Sequence, residues 1–475
     1  MAEKTVVKKD RFPAGRFLAW SGRGISVAGN VIVLTYLSIF CTDTLGLAPA
    51  LVGILFMVSK VIDAITDLVA GYVIDNTKTR FGKARPYEFC IILLWLCTWL
   101  LYSCPTSWSY PVKAIWVFFM YMLVNSVWAT FLNIAEQPYT VRAWGTKELI
   151  VKVSSLNGIL VTLGAMVVSV SFPILMGSIA TSSAGWSKLL AIYAIPLAVL
   201  GMMRFLFVKE DPKYDETHKV EPIKPKEILV MLGHNQYAWY MGGITGMVQM
   251  ILGMSAATYY FTWIVGDISK YGTLQILSVV TLLFLVAMPP LIRKLGIADT
   301  IRFGAIIGIV GYAINYFAGT NMPLLIIGFI LSGIASLPIS YMQAPMLMDV
   351  STYNEHKGFS RMDAASASAM NFINKVCNGI GSALLGVLLS LGGYAAASET
   401  QSAEAMTTIR LLYSLVPMIL MFVAIFCATK FRKLTNMIPQ IEKELDVKRK
   451  ALTAKADTAA AETASYTKGE GHESD

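Results

Sequence analysis

Two carboxylates stand four residues apart inside an apolar stretch of this sequence, "SKVIDAITDLVAGYVIDNTKTRFGKARPY", residues 59–87. In a helix, residues with this spacing share a face and their Cβ atoms lie about 6 Å apart, so Asp63 and Asp67 point the same way. Two anions that close in a low dielectric repel, so one must be protonated or a cation must lie between them. The pair predicts a cation site for Na⁺ or H⁺. The alternative is that each carboxylate forms a structural ion pair with a neighbouring helix.

A lysine lies in the middle of another apolar run, "ASASAMNFINKVCNGIGSALLG", where its charge needs a carboxylate or a water-filled space. Asn371, Asn374 and Asn378 stand at i−4, i−1 and i+3 from Lys375. They suggest a polar stripe that faces a cavity. We expect Lys375 to face the carboxylate pair, so that Na⁺ or a proton competes with its ammonium. A purely structural lysine pair is the alternative.

A third apolar run, "YMLVNSVWATFLNIAEQPYTVRAW", carries an unusual number of polar groups. They are Asn125, Trp128, Thr130, Asn133, Glu136 and Gln137. Asn133, Glu136 and Gln137 follow i, i+3, i+4 spacing and form one polar face. Amides, a carboxylate and an aromatic ring predict a site for a hydroxylated substrate. Alternatively, Glu136 pairs with Arg142 or Lys147 near the helix end, and the tryptophan faces lipid.

Further candidate substrate contacts come from three other runs. Arg23 and Asn30 stand in "WSGRGISVAGNVIV", and Lys152 stands in "LIVKVSSLNG". Arg23 and Lys152 lie near the start of their runs, so they are either anion ligands or anchors that extend to the membrane surface. Tyr341 and Gln343 lie between two prolines in "LPISYMQAPMLMDV", where a kinked helix would free backbone carbonyls.

The composition is that of a membrane protein. Of the 475 residues, 55% are hydrophobic and 15% are charged, against about 25% charged in soluble domains. Apolar segments of about 20 residues can cross a bilayer. They recur at 18–42, 49–75, 88–105, 111–139, 149–177, 187–208, 237–265, 272–292, 300–318, 322–348, 363–391 and 406–430. We therefore predict an all-α polytopic membrane protein with twelve transmembrane helices.

Cationic residues fall in alternate loops, and this asymmetry sets the orientation. "KKDR", "NTKTRFGKARP" and the C-terminal tail are rich in Lys and Arg, whereas "CTDTLGLAP" and "SCPTSWSYP" hold none. We predict that both termini are cytoplasmic. The net charge of +9 is then explained by cytoplasmic membrane flanks and gives no reason to expect a nucleic-acid partner.

The longest polar interruption, "KEDPKYDETHKVEPIKPKEI" at 209–228, divides the spans six and six. Two pseudo-symmetric six-helix bundles with substrate held between them are typical of the major facilitator architecture. The predicted domains are a cytoplasmic segment at 1–17, bundles at 18–208 and 237–430, a connector at 209–236, and a cytoplasmic helix with a disordered tail at 431–475.

The sequence gives no sign of an enzyme. It holds no nucleotide-binding glycine loop, no His or Cys metal cluster and no Ser-His-Asp set. The six cysteines lie in or beside apolar runs without metal spacing, and we interpret them as packing residues. We expect no cofactor beyond the coupling ion. The expected partners are a small-molecule substrate and the lipid bilayer, and the expected state is a monomer.

Over residues 18–435 the chain resembles the glycoside–pentoside–hexuronide:cation symporter family. "CTDTLGL", the 59–87 stretch and "MLMDVSTYNEHKGFSRMDA" are similar to its signatures. The resemblance implies that Asp63 and Asp67 bind the cation with help from Thr130, and that Thr66 stands where the family often has an amide. It also gives Lys375 a coupling role and places the protein in a bacterial inner membrane.

The loop after the second span is similar to the general facilitator loop motif. The resemblance implies salt bridges across the halves that hold the cytoplasmic side shut, formed by Asp75, Arg80, Lys83 and Arg85. Lys152 falls near the place of a sugar-contacting arginine in the family.

One departure from the family bears on the substrate. Family members commonly carry a first-span aspartate, and here Ile25 or Ser26 takes its place with Arg23 nearby. This exchange favours an acidic ligand such as a hexuronide or sulfonated sugar. We predict a cation-coupled symporter that imports a glycoside-like solute by alternating access. The alternatives are a uniporter or exporter of an amphipathic non-sugar such as a steroid, glycoconjugate or lysolipid, and a membrane sensor without flux.

Overall fold

The structure is a computed structural model, and it describes residues 14–211, 233–358 and 363–469. In these ranges the chain is helical apart from short connections and one isolated bridge between Thr79 and Gly82. Helices are expected because, in a bilayer, every backbone N–H and C=O must find its partner within the segment. The predicted all-α class is confirmed.

The first half of the molecule contains α1 Ala14–Leu34, α2 Pro49–Asn76, α3 Cys90–Tyr102, α4 Tyr110–Trp144, α5 Lys147–Ile179 and α6 Ser183–Phe207. Local signals set several of these ends. Thr146 and Ser182 cap α5 and α6 by accepting the N–H groups of Leu149 and Gly185. Gly145 ends α4 with a φ of 68°, which glycine adopts without steric cost.

The second half contains α7 Gln236–Met254, α8 Ser278–Leu295, α9 Ile297–Ala318, α10 Met322–His356, α11 Asp363–Leu391 and α12 Leu415–Gly469. Shorter helices span Ala256–Tyr259, Ser269–Ile276 and Ala403–Tyr413. Eight of the described helices are long and apolar enough to cross a membrane. The chain is therefore a multi-pass membrane protein. The count of twelve crossings and the domain boundaries stay predictions.

The C-terminal segment differs from its prediction. Helix α12 continues to Gly469 through the part of the tail that we expected to be disordered. The Ala, Lys and Glu residues of this segment are strong helix formers, which explains the continuation. Phe431, Leu434 and Ile438 are buried in a core that includes residues of α10. The part of α12 beyond the predicted last span thus begins as a docked helix.

The two halves pack mainly within themselves and meet along a narrow seam. α1 packs against α5 and α6, while α9 packs against α10 and α12. Across the seam, α2 packs on α11, and α5 packs on Ser269–Ile276. A methyl group at Gly53 would collide with the Ser382 carbonyl, and one at Gly386 with the Pro49 carbonyl. These glycines let α2 and α11 approach closely enough to bring their polar residues together.

At one end of the seam, hydrogen bonds join the halves. Ala50 N–H donates to Ser390 Oγ (3.0 Å), and Ala397 N–H donates to the Thr42 carbonyl (3.1 Å). The predicted topology directs this end away from the cytoplasm, and we call it the outer end.

Candidate functional site

The seam between α2 and α11 holds a three-residue ionic cluster. Lys375 Nζ lies 3.0 Å from Asp63 Oδ1 and 2.6 Å from Asp67 Oδ2. Thr130 Oγ1 of α4 donates to Asp63 Oδ1 at 2.9 Å. The contact expected between Lys375 and the carboxylate pair is therefore present. Its role in coupling stays a prediction.

The three side chains of the cluster differ in exposure. Asp63 is 5% exposed, whereas the side chains of Asp67 and Lys375 are 30% and 28% exposed. Hard cations such as Na⁺ prefer oxygen ligands, and the carboxylates and the Thr130 hydroxyl supply them. The same carboxylates could hold a proton. Either ion would reach them past Asp67 and would compete with the Lys375 ammonium.

Thr66 makes a different contact from the one the family resemblance implies. Its Oγ1 donates to the Asp63 carbonyl at 3.0 Å. Threonine hydroxyls in helices commonly bond to the carbonyl three or four residues earlier. A cation contact for Thr66 stays a prediction, since the hydroxyl oxygen keeps lone pairs.

The sequence analysis missed Lys60, one helical turn before Asp63. Lys60 Nζ donates to Asn125 Oδ1 at 3.0 Å, and it lies 5.9 Å from the centre of the Tyr121 ring. Asn125 belongs to a π-helical stretch of α4, Leu123–Ala129. The signal was available, because a lysine at i−3 shares the helix face of the carboxylate. With Lys60, the site holds two ammonium and two carboxylate groups.

Arg23 is not free to bind a substrate, which corrects our prediction. It is 5% exposed, and its Nη1 lies 2.8 Å from Glu136 Oε2. Arg204 Nη2 donates to Glu136 Oε1 at 2.8 Å, and Arg204 Nη1 lies 3.4 Å from Glu88 Oε1. The four groups form a neutral network inside the first half, as buried charges require.

Glu136 therefore pairs with Arg23 and Arg204, whereas the partners we had considered were Arg142 and Lys147. Its side chain is still 31% exposed, unlike the other three members of the network. A substrate contact through this exposed part stays a prediction.

Two further predicted substrate ligands, Asn30 and Trp128, form hydrogen bonds inside the first half. Asn30 is 2% exposed and its Nδ2 donates to Thr98 Oγ1 at 2.8 Å. This burial contradicts its prediction as a substrate ligand. Trp128 Nε1 donates to Cys97 Sγ at 3.3 Å, so its indole N–H is directed towards α3. The sequence could not reveal these directions because both depend on how α1 and α4 pack against α3.

Asn133 and Gln137 of α4 are exposed and continue the face that Thr130 begins. Lys152 and Tyr341 are also exposed, and Gln343 is half-buried. These placements keep all five side chains as candidates for substrate contact. Two members of the predicted polar face of α4, Asn133 and Gln137, are thus exposed.

The asparagines of α11 do not form one stripe. Asn374 Oδ1 accepts from Thr245 Oγ1 at 2.8 Å, and Asn378 Nδ2 donates to the Gln249 carbonyl at 3.2 Å. Both therefore face α7. Only Asn371, one turn from Lys375, is exposed on its face. For Asn374 the reason is geometric, because i−1 lies 100° around the helix from Lys375, whereas i−4 lies close to it.

The basic loop after α2 is organised by Glu210. The Glu210 carboxylate accepts the backbone N–H groups of Lys83, Ala84 and Arg85, the first two at 2.9 Å. Arg142 Nη1 also lies 2.9 Å from Glu210 Oε2. Sequence reasoning missed Glu210, which lies far from this loop along the chain.

The described contacts of this loop differ from the predicted gate. Arg85 Nε donates to the Phe205 carbonyl at 2.9 Å, and the Arg80 guanidinium lies 4.7 Å from the Phe81 ring centre. These contacts lie within the first half, whereas we expected salt bridges across the halves. The side chain of Asp75 lies outside the described residues. The cytoplasmic gate stays a prediction.

The sequence matches the family described as MFS/sugar transport protein over residues 24–434. The chain belongs to this family. The family is the sugar/cation symporter family of the major facilitator superfamily, so the chain is a transporter and not an enzyme. Family membership implies a coupling cation without fixing its identity.

Two relatives align with this chain over most of the length of both proteins. The isoprimeverose transporter of Lactiplantibacillus pentosus is 30% identical over 90% of this chain and 90% of that protein. The putative glycoside/cation symporter YagG of Escherichia coli K12 is 28% identical over 94% and 97%. Among solved structures, a bacterial homologue of the human lysosomal transporter Spinster superposes with a TM-score of 0.66 at 12% identity, over 91% of this chain and 99% of that one. This likeness confirms the major facilitator fold.

Proposed function

We propose that this protein imports a glycoside together with Na⁺ or H⁺ by alternating access. The observation that carries the proposal is the ionic cluster at the seam, where Lys375 of one half binds Asp63 and Asp67 of the other. A cation that binds these carboxylates displaces the ammonium. Because the ammonium links the halves, ion binding changes the free energy of their movement.

The exposed polar groups support a hydroxylated substrate. Asn133 and Gln137 of α4 and Asn371 of α11 are exposed close to the ionic cluster along their helices. Amides donate and accept hydrogen bonds and thus suit sugar hydroxyls. The argument for an acidic substrate rested on Arg23, whose charge is neutralised by Glu136 and Glu88. We therefore propose a glycoside that need not carry a negative charge.

The proposal includes the finer topology. Twelve helices form two pseudo-symmetric bundles, and both termini face the cytoplasm of a bacterium whose inner membrane holds the protein. The alternating basic loops and the separate packing of the two halves support this arrangement.

The test is uptake of radiolabelled isoprimeverose and, in parallel, of a hexuronide into cells, with and without imposed Na⁺ and pH gradients. We expect Asp63→Asn and Asp67→Asn to abolish accumulation above the external concentration. Asp299→Asn is the matched control, because Asp299 forms partly exposed pairs with Arg302 and Arg432 away from the seam. Unchanged accumulation in either seam variant contradicts coupling at this site. Equilibration without accumulation in the native protein indicates a uniporter.

A further inference from the structure

A half-buried carboxylate, Asp43, lies at the outer end of the seam. Asp43 belongs to a π-helical turn, Phe40–Thr44, that follows α1, and Trp263 belongs to another, Tyr260–Ile264, that follows α7. Trp263 Nε1 donates to Asp43 Oδ2 at 3.1 Å. π-helical turns are rare and concentrate at functional sites. Here the first helix of each half ends in one, and the two turns meet across the seam.

Neutral hydrogen-bond donors surround the Asp43 carboxylate. The Tyr394 hydroxyl, from the loop after α11, donates to Asp43 Oδ1 and accepts from Trp263 Nε1 at 2.7 Å. Thr42 Oγ1 donates to the same Oδ1 at 2.7 Å. Its hydroxyl also lies 3.1 Å from the Tyr259 hydroxyl across the seam. We call Thr42, Asp43, Tyr259, Trp263 and Tyr394 the outer latch.

No basic side chain among the described residues pairs with Asp43. Tyr259 and Tyr394 are the titratable groups that face it from the second half. Lys113 is the nearby cation of the first half, and its Nζ instead donates to the Leu45 carbonyl at 3.0 Å. A carboxylate at a buried interface without a counter-ion carries a desolvation cost that only its hydrogen bonds offset.

Burial and hydrogen bonding shift the pKa of the Asp43 carboxyl in opposite directions. Asp43 lies just beyond the first predicted span, and burial raises the pKa of its carboxyl, while the bonds from Tyr394, Thr42 and Trp263 partly offset the rise. Opening the outer end would break the bonds across the seam and return the carboxyl to water, where its pKa is about 3.9. The closed seam thus binds a proton more tightly than the open one, and lower pH favours closure.

We propose that Asp43 is a proton-binding site of the outer latch. Its carboxylate takes a proton from water as the outer end closes and returns it as the end opens. The site is separate from Asp63 and Asp67, so it sets the external pH dependence of gating whichever ion drives uptake. The inference goes beyond the proposed function and holds for any substrate.

The test measures opening of the outer end directly. Ser390 accepts a bond from Ala50 across the seam, so Ser390→Cys reports opening through labelling by a membrane-impermeant maleimide added from outside. Ser107→Cys, in an exposed connection, corrects for the pH dependence of the thiol reaction. The full chain in right-side-out vesicles is used without substrate or ion gradient, and the native chain gives the background.

We expect the corrected labelling of Ser390→Cys to be lower at about pH 4.5 than at about pH 7.5, because the closed seam binds the proton more tightly than the open one. Asp43→Asn, which stays neutral and keeps an acceptor oxygen, should give low labelling at both pH values. Tyr394→Phe, which removes one donor, should raise labelling and retain its pH dependence. A flat profile in the native latch, or an unchanged slope in Asp43→Asn, overturns the proposal. Neither result bears on the transport assay, so failure here and failure of coupling are distinguishable.

Discussion

The Lys375 ammonium lies where a coupling ion would bind, within 3.0 Å of both acidic side chains. Its positive charge offsets the repulsion between the two carboxylates, which would otherwise destabilise the site. Because the ammonium is tethered, it competes with every cation that enters. Affinity for the ion therefore includes the free energy of removing Lys375.

Removing the tethered charge should change ion affinity in a defined direction. We expect Lys375→Gln to bind Na⁺ or H⁺ more tightly by about tenfold, which corresponds to about 1.4 kcal/mol, and to transport more slowly because the halves lose their ionic link. Lys375→Arg keeps the charge and should retain native ion affinity. Ion-dependent thermal shifts of the purified protein measure both. Weaker ion binding in Lys375→Gln would refute the competition.

The network of Arg23, Glu88, Glu136 and Arg204 is a stability element of the first half. Arg204→Met would leave Glu88 buried with only the distant Arg23 contact at 3.9 Å. We expect a loss of about 3–5 kcal/mol, typical for breaking a buried pair on one side. Adding Glu88→Gln should restore part of the stability. Thermal unfolding of the two variants compares them, and equal stability of Arg204→Met and the native protein would show that the pair contributes little.

At the scale of elements, α2 and α11 act as one unit because glycine lets their backbones touch. The contact lies at their outer ends, and the ionic cluster lies further along the same pair of helices. A change in spacing at the glycines therefore alters the distance between Lys375 and the two carboxylates. We therefore predict that gating and ion binding are coupled through this helix pair.

Gly53→Ala tests that coupling. Its methyl group would collide with the Ser382 carbonyl, so we expect the outer end to stay open and uptake to fall at least about tenfold. Gly158→Ala is the matched control, since open space surrounds Gly158 on α5 and alanine is the better helix former. Uptake and Ser390→Cys labelling are the measurements. Native uptake by Gly53→Ala would show that close approach of these helices is dispensable.

At the scale of the whole molecule, the C-terminal helix has two parts. Residues 431–445 present an apolar stripe that is buried against the second half, ending at Ile441 and Leu445. The following segment is rich in alanine and charge. The docked part belongs to the transporter body.

Deletion of residues 448–475 should leave uptake and thermal stability unchanged, because it spares every buried position of the docked part. Deletion of residues 431–475 should lower stability, because it exposes the apolar surface that Phe431 and Leu434 cover. Uptake and unfolding temperature are measured for both. If the shorter deletion abolished the protein's function and left the unfolding temperature unchanged, the membrane sensor would be favoured over the symporter.

The sequence by itself determined the membrane class, the helical fold and the ionic cluster. An unpaired charge within an apolar run is costly, so pairing of Lys375 with Asp63 and Asp67 was expected. Helical spacing placed the two carboxylates on one face. A buried charge is stable only beside a group of opposite charge or in contact with water, which is why the ionic cluster could be predicted.

Which polar groups are exposed and which serve packing could be learned only from the packed helices. From the sequence we predicted that Arg23 and Asn30 are site residues. In the structure they contact Glu136 and Thr98 inside the first half. The latch at Asp43 joins residues more than 200 positions apart. Helix periodicity gives relative directions within one helix, whereas the direction of each helix face depends on its neighbours, and that information exists only once the helices have packed.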